Sequence, residues 1–321
     1  MFTTNRVKKV EYISVANFYD KHKDVLKLTL MNNPAGLTRN ISEPTINRPG
    51  LAIAGFFSYF ANKRIQVLGS AELAYLKKLP MGMRQSRIQR MFRLGVPCLV
   101  FSRDQEPPPE ITQLANELGI CVFSTSLVTM KFVNAATIIL ENEFADTITV
   151  HGCMLDVKGV GVLIRGKSGM GKSETALGLI ERGAALVADD MVYVRNIGGE
   201  LLANSPDLSR GFMEVRGLGI VNIPNLFGHK SLRNNKRLDI VISLRPSTEE
   251  SSLDRLGLER ENLDILGEKV IHVELSVAPG RDTARLVEVA AMDYHLKQLG
   301  IDMAAEFNRR LMEKFTKEEN H

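Results

Sequence analysis

Gly166-Lys-Ser-Gly-Met-Gly-Lys172-Ser173 is the stretch on which the reading of this chain turns. It satisfies the pattern G-x-x-x-x-G-K-[ST]. Glycine has no Cβ, so the backbone turns tightly there and successive N–H groups converge on phosphate oxygens. A helix starting at the loop adds the positive end of its dipole. Lys172 is then placed to reach the β- and γ-phosphates, and the Ser173 hydroxyl to bind magnesium. The expected nucleotide-binding element is the whole loop: Gly166, Lys167, Ser168, Gly169, Met170, Gly171, Lys172 and Ser173. The competing reading is a glycine-rich turn with solvated lysines. The flanks argue for the first, because Gly161-Val-Leu-Ile164 reads as a strand and Glu174 to Arg182 as a helix.

Downstream, Ala184-Ala-Leu-Val-Ala188 is an apolar strand ending in Asp189-Asp190. Ligand sites in open α/β sheets lie at such strand ends. Phosphoryl transfer needs a magnesium ligand, and often a carboxylate to accept the proton of the attacking hydroxyl. Two adjacent carboxylates can divide those roles, or can simply cap a turn. Glu214 lies in Met213-Glu-Val-Arg-Gly-Leu-Gly-Ile-Val-Asn222, where glycines among apolar residues suggest a loop held close to something. His151 follows the strand-like Thr147-Ile-Thr-Val150. Arg255 and Arg281 are each either a compensator of transition-state charge or an ordinary surface arginine. Further strands are expected at Met191–Val194, Leu238–Leu244 and Val270–Leu275, and a long helical tail over Thr283–Phe315.

Upstream of the loop the chain reads as a small α/β unit. Helical spacing runs through 13–30, and turn residues crowd 34–50. Strands are expected at Arg64–Gly69, Cys98–Phe101 and Ile120–Thr125, with a helix capped by Ser70 and another begun by Pro107-Pro-Pro. Strands alternating with helices at this spacing imply parallel pairing through crossover helices. The expected organisation is therefore α/β: an N-terminal α/β domain over 1–132, a linking helical region over 133–144, and a phosphate-loop domain over 145–321, which the resemblance described below makes a kinase/phosphorylase domain.

The chain has 321 residues, 44% hydrophobic and 24% charged, which excludes a disordered, collagen-like or disulfide-scaffold protein. Its 41 Lys and Arg against 37 Asp and Glu give a net charge of +4, which does not argue for a nucleic-acid partner. Apolar runs such as Gly50–Phe57 fall short of the ~20 residues a membrane helix needs, and the polar N-terminus lacks a signal core. Cys98, Cys121 and Cys153 lack metal-ligand spacing and read as reduced thiols of a cytoplasmic protein.

Taken together, the motifs resemble the bacterial HPr kinase/phosphorylase family, bifunctional enzymes acting on a serine of the phosphocarrier protein HPr. The resemblance is carried by His151-Gly152, Gly166 to Thr175, Leu186-Val-Ala-Asp-Asp190, Glu214 to Asn222, Asp254-Arg-Leu-Gly257 and Val287-Glu-Val-Ala-Ala-Met292. Ile46-Asn-Arg-Pro-Gly50, Gly55-Phe-Phe and Arg64 to Gly69 extend it into the first domain. It implies a carboxykinase-like C-terminal domain, ATP and Mg2+ as cofactors, pyrophosphate and phosphate as co-substrates, and a homohexamer. By motif it assigns Asp190 as proton acceptor in phosphorylation and donor in the reverse reaction, with Asp189 its close partner. Lys172, His151 and Arg255 would be catalytic, and Ser173 and Glu214 would hold magnesium. Ser276, Val277, Ala278, Pro279, Gly280 and Arg281 would serve chiefly dephosphorylation. Lys167 stands where the family often has Asp, which is expected to alter nucleotide or pyrophosphate affinity. Two rival readings share the loop: a small-molecule kinase or carboxykinase relative, and an ATP-binding regulatory module without catalysis. Asp189, Asp190 and Glu214 speak against the module, since bare binding does not require them.

Overall fold

Three parallel strands, Ile65–Leu68, Cys98–Ser102 and Cys121–Thr125, form the centre of a five-stranded sheet. All their residues are buried, the pattern of a parallel sheet covered on both faces. The short strand Ile46–Asn47 pairs parallel at one edge, and Leu28–Leu30 closes the other edge antiparallel. The computed structural model describes residues 7–246, 261–278 and 280–318. Within these the chain forms two units, the first spanning Lys9–Ala145 and the second starting at Asp146, with Lys8 bridged to Thr147.

The crossovers of the first unit depart from the sequence reading in two places. The helix at residue 70 begins with Ser70 itself; Gly69 precedes it, and its N–H donates to Glu72 Oε2 at 3.0 Å. A second helix, Met81–Arg93, follows in the same crossover. Its run of arginines hid an apolar stripe of Ile88, Met91 and Phe92, all buried. Residues 133–144 belong to the helix Thr129–Phe144, which buries Phe132, Ala136 and Leu140 in the first unit's core.

In the second unit, the strand Val160–Arg165 leads into the phosphate loop and lies inside a six-stranded sheet. Ile240–Pro246 pairs parallel to it, and Glu268–Val277 parallel to that. On its other side lies an antiparallel strand the sequence reading passed over, Cys153–Val157. Lys158 and Gly159 join the two strands with φ of 49° and 90°, the left-handed pair a two-residue hairpin turn requires. Ala185–Ala188 then pairs with Cys153–Val157, so the Asp189-Asp190 end sits two strands from the loop. A four-stranded sheet holds Thr147–His151, Met191–Ile197, Glu200–Asn204 and Asn235–Arg237. The tail is two helices, Thr283–Gln298 and Met303–Glu318, parted at Gly300, whose φ is 82°.

The helix Lys172–Glu181 packs Ala176, Leu179 and Ile180 against Val162, Ile164 and Ile242 of the sheet. That apolar contact fixes the helix on the sheet and aims its N-terminus at the loop.

Candidate active site

Gly169 and Gly171 take φ of 83° and 79°, so the loop turns through backbone shapes that only glycine adopts without strain. The Thr175 N–H donates to Gly171 O at 2.8 Å, closing the first helical turn. The Lys172 ammonium donates to Gly166 O at 3.1 Å, which holds it over the loop's own backbone. Ser173 follows it in the first turn.

Asp189 and Asp190 are adjacent in sequence but differ in setting. Asp190 is exposed, with φ of 57°, a left-handed shape that aspartate tolerates better than most residues. Its backbone carbonyl accepts from Gly152 N at 3.1 Å, and its Oδ1 lies 3.8 Å from His151 Nδ1. Asp189 is half-buried. Its Oδ1 accepts from the Cys153 thiol at 2.6 Å, and its Oδ2 from the Glu214 N–H at 3.1 Å. Burial pushes the Asp189 carboxyl above its ordinary pKa, against the opposing pull of those hydrogen bonds. Burial also raises the Cys153 thiol well above its usual range, reinforced by Asp189, so Cys153 is a protonated donor.

Glu214 sits on a two-stranded hairpin, Phe212–Val215 with Gly219–Asn222. Met213 and Val215 point into the core, so Glu214 faces outward between them. Ser173, Lys172, Asp189, Asp190 and Glu214 together line a cavity of about 170 Å³ at the loop. Arg216 and Glu174 line it too. A Cβ on Gly169 would meet both terminal nitrogens of Arg216 at 3.9 Å, so this guanidinium reaches the loop. Sequence reasoning did not single out Arg216; its one signal was a position two residues after Glu214. Cys153 gave no signal at all.

A larger cavity, about 630 Å³, opens beside the loop and is bordered by His151, Arg165, Lys167, Arg245 and His272. His272 Nε2 and Ser243 Oγ lie 2.9 Å apart at its wall. Val277 and Arg281 line a third cavity of about 270 Å³ with Met170, Gly171 and Glu174. The segment from Ser276 thus reaches the loop from the side of its helix. Arg255 and Pro279 lie outside the described residues. Among the described residues no group of three or more His, Cys, Asp or Glu side chains is arranged to hold a metal.

A strand, a glycine-rich loop and a helix N-terminus facing carboxylates define the chain as a phosphate-loop protein of the α/β class. The family model for the HPr Serine kinase N terminus matches residues 13–140, and that for the HPr Serine kinase C-terminal domain matches 142–311. The HPr kinase/phosphorylase of Bacillus cereus strain AH820 is 40% identical over 294 residues, covering 90% of this chain and 95% of its own length. That of Bacillus anthracis matches to the same extent, 40% over 294 residues. A solved structure of the Hpr(Ser) kinase/phosphatase from Coxiella burnetii is 32% identical, with a TM-score of 0.46, covering 50% of this chain and 97% of that one. The chain belongs to the HPr serine kinase family.

Proposed function

We propose that this chain transfers the γ-phosphoryl group of ATP to a serine hydroxyl of HPr. In reverse it cleaves seryl-phosphorylated HPr with inorganic phosphate and releases pyrophosphate. The observation that carries the reading is the meeting of Lys172, Ser173, Asp190 and Glu214 on one small cavity at the helix N-terminus.

The loop N–H groups and Lys172 take the phosphates and neutralise charge as the transferring group moves. The serine Oγ–P bond forms as the bond from the γ-phosphorus to the bridging oxygen breaks, and ADP leaves with that electron pair. The serine proton goes to Asp190, which is exposed and so open to a protein substrate. In reverse, a phosphate oxygen attacks the phosphoserine phosphorus, and the departing serine oxygen takes its proton back from Asp190. His151 Nδ1 lies 3.8 Å from Asp190 Oδ1, at the same edge of the site. Val277 and Arg281 border a cavity against Met170 and Gly171 of the loop, and by the resemblance their segment would serve that reverse direction.

Ser173 and Glu214 supply oxygen donors from separate parts of the chain. Two such ligands suit magnesium, which keeps several waters and binds substrate phosphates. When bound, it would neutralise charge on the phosphate oxygens. Arg255 would add positive charge, by resemblance alone. A cytoplasmic homohexamer belongs to the same reading and rests on the resemblance. No helix of the described residues is long and apolar enough to cross a membrane.

The test is incubation of the chain with purified HPr, labelled ATP and magnesium, with mapping of the labelled residue. Label on a single HPr serine, and pyrophosphate released from that product by added phosphate, supports the reading. A label that stays on the nucleotide or on free phosphate refutes it.

A further inference from the structure

The family resemblance gives proton transfer to Asp190 and leaves Asp189 only as its partner, and the surroundings of the two carboxylates show what Asp189 does instead. Asp190 is exposed beside His151, free to meet a substrate hydroxyl. Asp189 has both carboxylate oxygens engaged, and the two donors come from different pieces of structure. Cys153 lies on the strand next to the phosphate-loop strand, opposite Ile164, and is 1% exposed. The Glu214 N–H belongs to the separate hairpin. Alternate residues of a two-stranded ladder direct their N–H groups away from the partner strand. The Glu214 N–H does so, and Asp189 accepts it in place of a third strand. Met213 and Val215 seat one face of this short hairpin in the core, while its tip and other face are open, with Leu218 75% and Ile220 76% exposed. A hydrogen bond to a carboxylate is among the stronger ties available to it.

We propose that Asp189 is a positioning residue: oriented by the Cys153 thiol, its carboxylate fastens the Glu214 hairpin beside the phosphate loop and leaves proton transfer to Asp190. The proposal rests on the phosphotransferase reading of the site, but the anchor itself can be measured without any activity.

Amide hydrogen exchange of the hairpin, read at Glu214 in the full chain, measures the anchor. Asp189→Ala removes the acceptor, and exchange at Glu214 should quicken about tenfold or more, as loss of one hydrogen bond to a charged group implies. The magnesium needed for half-maximal phosphorylation of HPr should rise by a larger factor than kcat falls. Asp189→Asn keeps an acceptor oxygen and should keep most of the protection. Cys153→Val should quicken exchange at Glu214, and Cys153→Ser, which restores a donor, should reverse that. This pair serves equally should Asp189→Ala fail to fold. Unchanged exchange at Glu214 in Asp189→Ala, or in Cys153→Val, overturns the anchor. Intact protection in Asp189→Asn with phosphorylation as low as in Asp190→Asn overturns the division of roles. A wild-type chain that does not phosphorylate HPr refutes the proposed function instead, and leaves the exchange result standing.

Discussion

Replacing Lys172 by alanine should disable phosphoryl transfer while sparing the fold. The ammonium donates to the carbonyl of Gly166, on the loop itself, and no ion pair binds it to another part of the described chain. Its loss therefore leaves no buried carboxylate stranded. What disappears is one positive charge where the β- and γ-phosphates would lie. A unit charge about 4 Å from another, at the effective dielectric of ~20 suited to a site near the surface, is worth about 4 kcal/mol. Spread over the transition state, that corresponds to roughly a 10³-fold loss of rate, in line with ~10²–10³ for a single electrostatic donor. The assay is initial-rate phosphorylation of HPr at saturating ATP and magnesium. Circular dichroism and the thermal midpoint should match wild type. A Lys172→Ala enzyme within about threefold of wild-type turnover would show that this loop does not carry the reaction.

Asp190→Asn keeps the shape but cannot exchange a proton, so kinase and phosphorolysis rates should both fall by roughly 10²–10⁴-fold; loss of one direction alone would rule out a shared acid/base. Burial raises the Asp189 pKa in the folded state, so the folded chain holds that proton more tightly than the unfolded chain does. The stability this contributes is full below the unfolded pKa and is lost as pH rises through the folded one. Asparagine never ionises, so the thermal midpoint of Asp189→Asn relative to wild type should rise as pH goes from acid to neutral, whatever the pH-independent cost of the one accepted hydrogen bond it gives up; a constant difference across pH would discount the burial argument. A Cβ on Gly161 would stand 1.7 Å from the Arg237 carbonyl oxygen, and backbone cannot yield as a flexible side chain does. Gly161→Ala should then cost about 1–3 kcal/mol or more, seen as a lower urea midpoint; a midpoint equal to wild type would mean the two segments part freely.

The loop, its strand and its helix were readable because their signals are local. Glycine spacing, an apolar run and a helical stripe all lie within about twenty consecutive residues, and each follows from backbone sterics or periodicity. The alternation of strands and helices in the first unit was readable for the same reason. His151 and Glu214 stood out as candidates by position, the family resemblance gave roles to them, to Asp190 and to the Ser276–Arg281 segment, and the fold brings His151 beside Asp190 and Glu214 onto the loop cavity. The strand Cys153–Val157 escaped because Asp156 interrupts its apolar pattern. The helix Met81–Arg93 escaped because arginines outnumber its buried positions. No local pattern distinguishes Asp189 from Asp190. That difference comes from the register in which Ala185–Ala188 pairs with Cys153–Val157, and from a hairpin that brings Glu214 back to Asp189 across 25 residues of chain. Propensity and periodicity act between near neighbours. Which of two adjacent carboxylates is buried and which faces solvent depends on contacts between segments that only packing brings together.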